Sequence, residues 1–338
     1  MNRKNLAAAG GRGAYRYAVS APSRWLVLAN LWIIYVIWGS TYLAMRIAVE
    51  TIPPLLGAGV RFALAGLILA AFLALRGHVD RADLGRRQLV ASAIVGALLL
   101  IGGNAMVMVA EQTVPSGLAA LIIGSIPLWV VLLRTADGQR VSAMTRISVA
   151  VGLVGVAILV LPKAEGGIAN LFGPLVLILA SISWAIGSFL AQRLPLPRDP
   201  LVSTTLEQLF AGVFLGAGGL LLGDGGTVIS RPVSTPSLIG LGYLVVFGSL
   251  VAFSAYTWLL HHAPVSTVAT YAYVNPVIAV FLGWALLHEE VTAAIVAGAV
   301  VIVASVALVV RQESLARPRP VGLASGRAGA TATRPRSP

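Results

Sequence analysis

Residues 38–66 read WGSTYLAMRIAVETIPPLLGAGVRFALAG, and residues 184–212 read WAIGSFLAQRLPLPRDPLVSTTLEQLFAG. Trp38 and Trp184, Pro54-Leu55 and Pro200-Leu201, and Ala65-Gly66 and Ala211-Gly212 all keep a separation of 146 residues. Farther along, Pro115 and Pro264, then Pro127 and Pro276, are 149 residues apart. Two nearly equal offsets point to one ancestral unit written twice, with a small indel between. The Trp and Pro matches carry this reading, because Ala and Leu coincide easily in apolar sequence. Membrane carriers are often built from such repeats, with the substrate site between the halves.

Both copies are apolar. Of 338 residues, 58% are hydrophobic and 11% are charged, against about 25% charged in an ordinary soluble domain. The runs Trp25 to Met45 and Gln88 to Ala110 contain no charge, and about 20 such residues span a bilayer core. A β-barrel would show short alternating segments instead. The pattern predicts an all-α polytopic membrane protein with ten transmembrane helices, near 27–48, 54–75, 88–110, 116–134, 145–161, 171–190, 201–222, 236–260, 265–287 and 293–310. Turn signals separate them: Pro53-Pro54, Pro162, Gly166-Gly167, Pro195 to Pro200, Gly223 to Gly226, and Pro264. The basic stretch at 1–24 precedes a full-length apolar run, so it reads as a cytoplasmic segment before the first span and not as a cleaved leader. The Arg- and Pro-rich tail, 311–338, is expected to be disordered and cytoplasmic.

The net charge of +12 follows topology. If connections alternate sides, twenty Lys and Arg residues fall on one side: the N-terminal five, the four from Arg76 to Arg87, Arg134, Arg140, Arg146, Arg193, Arg198 and six in the tail. Only Lys163 and Arg231 fall on the other, with Arg46 and Arg61 inside spans. Positive charge collects on the cytoplasmic side, so both termini are expected there and a nucleic-acid partner is not. Each copy then holds five helices, 25–161 and 171–310. Because five is odd, the second copy enters from the opposite side. The expected fold is two inverted five-helix repeats around a central cavity.

Several residues resist a purely structural reading. Arg61 lies seven residues past Pro54, and Glu207 seven past Pro200, each roughly 10 Å from a membrane surface. Ionisable groups at that depth usually mark a pathway, so both are expected to line the cavity; snorkelling or a structural hydrogen bond is the alternative. Arg46 is close enough to the outer interface to snorkel. Pro127 and Pro276 each fall 12 residues past a helix-opening Pro, about 18 Å in, and read as gating kinks or as permanent packing kinks. Trp38, Tyr42, Trp184, Tyr256 and Tyr271 lie within spans, as does Asn275 one turn beyond Tyr271. Such polar-tipped groups suit a pocket for amphipathic organic molecules; core or lipid-facing packing is the bland reading for each ring.

Other chemistry is poorly supported. The chain has no Cys, which excludes disulfides and thiolate metal sites. His288-Glu289-Glu290 resembles a metal cluster only superficially, because His78, His261 and His262 belong at the other membrane face. No Walker loop is present. No cofactor and no metal are expected.

Taken together, Trp38-Gly39-Ser40-Thr41-Tyr42, then Pro54 and Arg61, Asn104 in the third helix, Ala263 to Pro276, and Leu287-His288-Glu289-Glu290-Val291-Thr292 resemble the drug/metabolite transporter superfamily, in its EamA-type ten-helix branch. The resemblance covers nearly all of 25–310. It implies two inverted repeats around a cavity, Asn104 among its lining, and export of small metabolites, amino acids or drugs. The family usually carries an acidic turn before the last helix of both repeats. The first copy here reads Asp137-Gly138-Gln139-Arg140-Val141-Ser142, without the usual Glu. The expectation is a non-enzymatic exporter in a bacterial inner membrane, working by alternating access as a monomer or homodimer. Proton coupling through Glu207 would be an added feature. An integral-membrane enzyme acting on lipid-linked intermediates, or a non-transporting sensor or partner subunit, are the rival readings.

Overall fold

A computed structural model describes residues 23–77, 84–164, 168–268 and 270–315. Most of the basic N-terminal segment, His78, Arg81, Gly166-Gly167 and the tail from 316 lie outside the described residues. Among the described residues the chain is helical throughout, without strands. The spans are α1 (Arg24–Ala48), α2 (Pro54–Arg76), α3 (Arg86–Ala110), α4 (Ser116–Ala136), α5 (Ala143–Ala164), α6 (Ile168–Ala191), α7 (Pro200–Leu221), α8 (Thr235–Leu260), α9 (Tyr271–Leu287) and α10 (Ala293–Leu315). All but α9 are at least 20 residues long. α9 has 17 residues and follows a separate turn, Val265–Val268.

Local chemistry sets these ends. Pro53 and Pro54 open α2, where the missing N–H costs nothing. Asp199 caps α7, its carboxylate accepting the Leu201 N–H at 2.8 Å ahead of Pro200. Gly77, at φ 66°, closes α2 in the left-handed conformation that glycine adopts freely. Two sequence expectations shift. The Gly223 to Gly226 turn contains a short helix, Asp224–Ser230. The tail does not begin at Arg311, because α10 runs on to Leu315.

The copies are inverted, and the packing shows it directly. Along α2 and α7, Leu56 lies against Gly219, Gly59 against Gly216, Ala63 against Gly212 and Gly66 against Leu209. Numbers rise on one helix as they fall on the other, so two equivalent helices run antiparallel. A methyl group at Gly59 or Gly212 would strike the facing backbone, which is how small residues bring membrane helices together. α5 and α10 cross in the same sense, Gly152 meeting Ser305, Gly155 meeting Ile302 and Gly298 meeting Leu159. Large apolar side chains such as Leu67, Phe214, Leu221 and Val300 face outward, while Thr41, Arg61, Glu111, Glu207 and Gln208 are buried. That arrangement suits a lipid solvent.

Both copies interrupt the α-helix at matching places. Ala97–Ala105 in α3 and Leu244–Ala252 in α8 are π-helical. π-segments are rare and concentrate at functional sites. The carbonyls they misalign find side-chain donors: Ser183 Oγ donates to Leu98 O at 2.8 Å, and Gln208 Nε2 to Ser249 O at 3.1 Å. The expected kinks also take a particular form. α4 breaks at Gly124–Ser125, so Pro127 sits in the first turn of the second segment, Ile126–Ala136, where it needs no hydrogen bond. Pro276 lies inside an unbroken α9, and its ring and the Ala272 carbonyl it leaves unbonded pack on Gly124. The break in that span comes earlier, between Val268 and Tyr271.

Candidate substrate site

A central cavity of about 50 Å³ lies where the copies meet. Trp38, Thr41, Tyr42 and Met45 of α1, Gly103, Asn104 and Val107 of α3, Ile123 and Ile126 of α4, Ala180 and Trp184 of α6, and Tyr271 and Asn275 of α9 line it. Of the residues expected at a cavity from sequence, six come together here: Trp38, Tyr42, Asn104, Trp184, Tyr271 and Asn275. The equivalent tryptophans meet edge to face at 5.7 Å, with Gly103 leaving room for the Trp184 ring. Tyr271 packs edge-on to Trp38 at 5.2 Å. Asn275, oriented to satisfy its neighbours, donates to the carbonyls of Tyr271 and Tyr35 and ties α9 to α1. Trp184 Nε1 is buried, with the Tyr256 and Tyr271 phenols within its reach.

Three expected lining residues sit elsewhere. Arg61 does not reach the central cavity. Its guanidinium donates from Nη1 to Asn104 Oδ1 at 2.8 Å and from Nε to Ser249 Oγ at 2.9 Å. A buried cation takes the hydrogen bonds available to it, and these two acceptors lie in the π-segments of opposite copies. Arg61 therefore cross-links the halves, and it touches the site through Asn104. Glu207 and Tyr256 line a second cavity of about 540 Å³, with Val95, Leu99, Ser203 and the 191–198 connection. This vestibule reaches the end of the bundle that carries Arg134, Arg193 and Arg198. Glu207 accepts from Ser203 Oγ at 2.8 Å, one turn earlier on α7. The rings of Trp38, Trp184, Tyr256 and Tyr271, at centroid distances from 4.9 to 6.2 Å, form the wall between vestibule and central cavity.

The pattern of the EamA-like transporter family matches residues 25–161 and 171–311, one match per copy. The chain belongs to that family. An Escherichia coli K12 protein named "Uncharacterized inner membrane transporter YedA" is 40% identical over 267 residues, covering 78% of this chain and 83% of that one. A Salmonella typhimurium protein named "Probable amino-acid metabolite efflux pump" is 24% identical over 281 residues, covering 80% and 90%. A solved crystal structure 19% identical in sequence superposes with a TM-score of 0.61, over 85% of this chain and 98% of that one. This EamA-like chain is therefore a multi-pass membrane transporter.

The opposite end of this EamA-like bundle is tied together by residues the sequence pattern did not single out together. His288, at φ 54°, reverses the chain after α9 and sets the Glu289 carboxylate under the head of α4. Its oxygens accept the N–H groups of Ser116 at 2.7 Å and Gly117 at 3.0 Å. Gly283 leaves the space that this carboxylate fills. Arg46 is half-buried, and its Nη1 donates to the carbonyls of Glu111 and Gln112, pinning α1 to the end of α3. Glu111 is fully buried. The sequence pattern does not single it out, and only packing reveals it.

Proposed function

We propose that this chain exports small organic solutes across a bacterial inner membrane by alternating access, with substrate held in the central cavity. The observation that carries the reading is that cavity, built from both inverted copies and separated from a wide vestibule by four aromatic rings. Its lining holds no carboxylate and no cation, so it suits neutral or zwitterionic molecules with an apolar body, and at about 50 Å³ it must widen to take one. The name of the Salmonella relative supports amino acids as a class, and that of the E. coli relative supports the inner membrane. The distribution of Arg and Lys supports cytoplasmic termini and a vestibule that opens to the cytoplasm. Glu207, with one hydroxyl donor and the vestibule beside it, is the carboxylate suited to carry a proton in exchange for substrate.

Proteoliposomes preloaded with radiolabelled amino acids, with and without a pH gradient, test this. Efflux of an apolar or aromatic amino acid, reduced at least tenfold in Trp184→Ala, is the expected result. Absence of flux for every amino acid and neutral amphipath tried, with a folded protein, would sink the proposal.

A further inference from the structure

Glu111 has no part in the reading above, yet it is the most completely enclosed acid described. It lies four residues beyond Val107 and on the same helix face, one turn past the central cavity that Val107 lines. It is 0% exposed, and neither carboxyl oxygen has a hydrogen-bond partner. The charged groups acting on it are Glu289, from the turn before α10, Arg46 of α1 and Arg61 of α2; the Tyr42 phenol of α1 is also near. α6 packs along this stretch and has no titratable side chain, and neither does the Ser116–Ile123 segment. Each charged neighbour is engaged elsewhere: Arg46 with two backbone carbonyls, Arg61 with Asn104 and Ser249, Glu289 with two backbone amides. An ionised carboxylate enclosed without hydrogen bonds is strongly disfavoured; the Glu289 charge nearby disfavours it further, and Arg46 and Arg61 offset only part of this. If this end opens, water reaches the carboxyl, and Arg46, which already holds the Glu111 carbonyl, is within reach as an ion partner.

We propose that Glu111 is a proton-binding latch for the end of the bundle that Glu289 closes. As that end seals, the carboxylate takes one proton from the adjoining water and becomes a neutral acid. As it opens, the acid returns the proton to water and the carboxylate pairs with Arg46. Closing takes up a proton, so acid on that face favours the closed state and alkali the open one. With one proton linked, the closed-to-open ratio changes by up to about tenfold per pH unit. The latch rests on the alternating-access reading, but it is read by accessibility and not by flux.

The chain has no Cys, so Val107→Cys is a clean reporter and the exposed Thr113→Cys marks the face that reagent reaches. Spheroplasts and inverted vesicles are treated with a membrane-impermeant maleimide at a series of pH values. Dividing each Val107→Cys rate by the Thr113→Cys rate removes the reagent's own pH dependence. The expected normalised rate falls by up to about tenfold per pH unit on acidification. It becomes low and flat when Glu111→Gln is added, and it keeps its slope with Glu289→Gln. A flat profile for the reporter alone, or an unchanged slope with Glu111→Gln, would overturn the latch. Should Glu111→Gln fail to accumulate, Glu111→Asp must shift the midpoint, and an unmoved midpoint overturns the proposal equally. A clear slope without any flux would leave the latch and remove the transport reading; flux with a flat slope would do the reverse.

Discussion

At one end of the bundle, Glu289 accepts the Ser116 and Gly117 N–H groups and holds the head of α4 against the turn before α10. At the other end, the equivalent segment of the first copy offers no such acid. The residue 149 positions before Glu289 is Arg140. The nearby Asp137 turns instead to Arg193 at 2.7 Å, in a pair more than a third exposed on both sides. The helix that an acid there would cap is one turn, Val265–Val268, and a vestibule of about 540 Å³ opens at that end. The scaffold is close to two-fold symmetric, so the difference between the ends is traced to a few side chains. A carboxylate bonding two amides is worth about 1.5–3 kcal/mol per bond, whereas an exposed ion pair is worth about 0–1 kcal/mol.

Four substitutions probe that comparison, from the largest expected effect to the smallest. Arg61→Ala removes the tie common to both ends and strands Asn104 and Ser249. Each stranded neutral acceptor costs about 1–3 kcal/mol, so a loss of about 2–6 kcal/mol in stability is expected, read as a lowered Tm in detergent together with lost flux. An unchanged Tm would mean the π-segments hold without it. Glu289→Ala should act on one end only, shifting the closed state toward open by about tenfold to a hundredfold, measured as the rate of Val107→Cys labelling. Arg140→Glu gives the first copy the acid it lacks and should slow labelling of Leu196→Cys, in the vestibule, about twofold to fivefold, as for one exposed helix-terminal charge; no change would show that the acid alone does not close an end. Arg193→Ala should alter stability by less than about 1 kcal/mol, and a larger fall in Tm would mean the surface pair does more than its exposure suggests.

The ten spans were legible because lipid imposes long apolar runs, and because Pro54, Pro115, Pro200 and Pro264 stand where helices begin. Trp38 and Trp184 were legible as a matched pair, and they do meet. The place of Arg61 was not legible. Its depth marked it as unusual, but its partners lie 43 and 188 residues away, so only the fold could decide between cavity and cross-link. The π-segments left no compositional trace, since Ala97–Ala105 and Leu244–Ala252 differ from an α-helix in hydrogen-bond register and not in residue type. Pro127 marked its break to within two residues, because a proline tolerates the start of a helix better than its middle. Glu111 carried no signal in the sequence, because its burial depends on elements distant in the chain, α6 among them, packing around the end of α3.

The measurement that tests the account most directly is two-sided labelling of single cysteines on the chain, which has none of its own. Leu196→Cys should label quickly from the face bearing Arg193 and Arg198. Val107→Cys should label slowly from either face, until Glu289→Ala admits reagent from the face that Thr113 marks. With the reagent at acidic pH, where Glu111 is neutral, rapid labelling of Val107→Cys from that face with Glu289 intact, or no gain in Glu289→Ala, would contradict the claim that the Glu289 carboxylate holds that end.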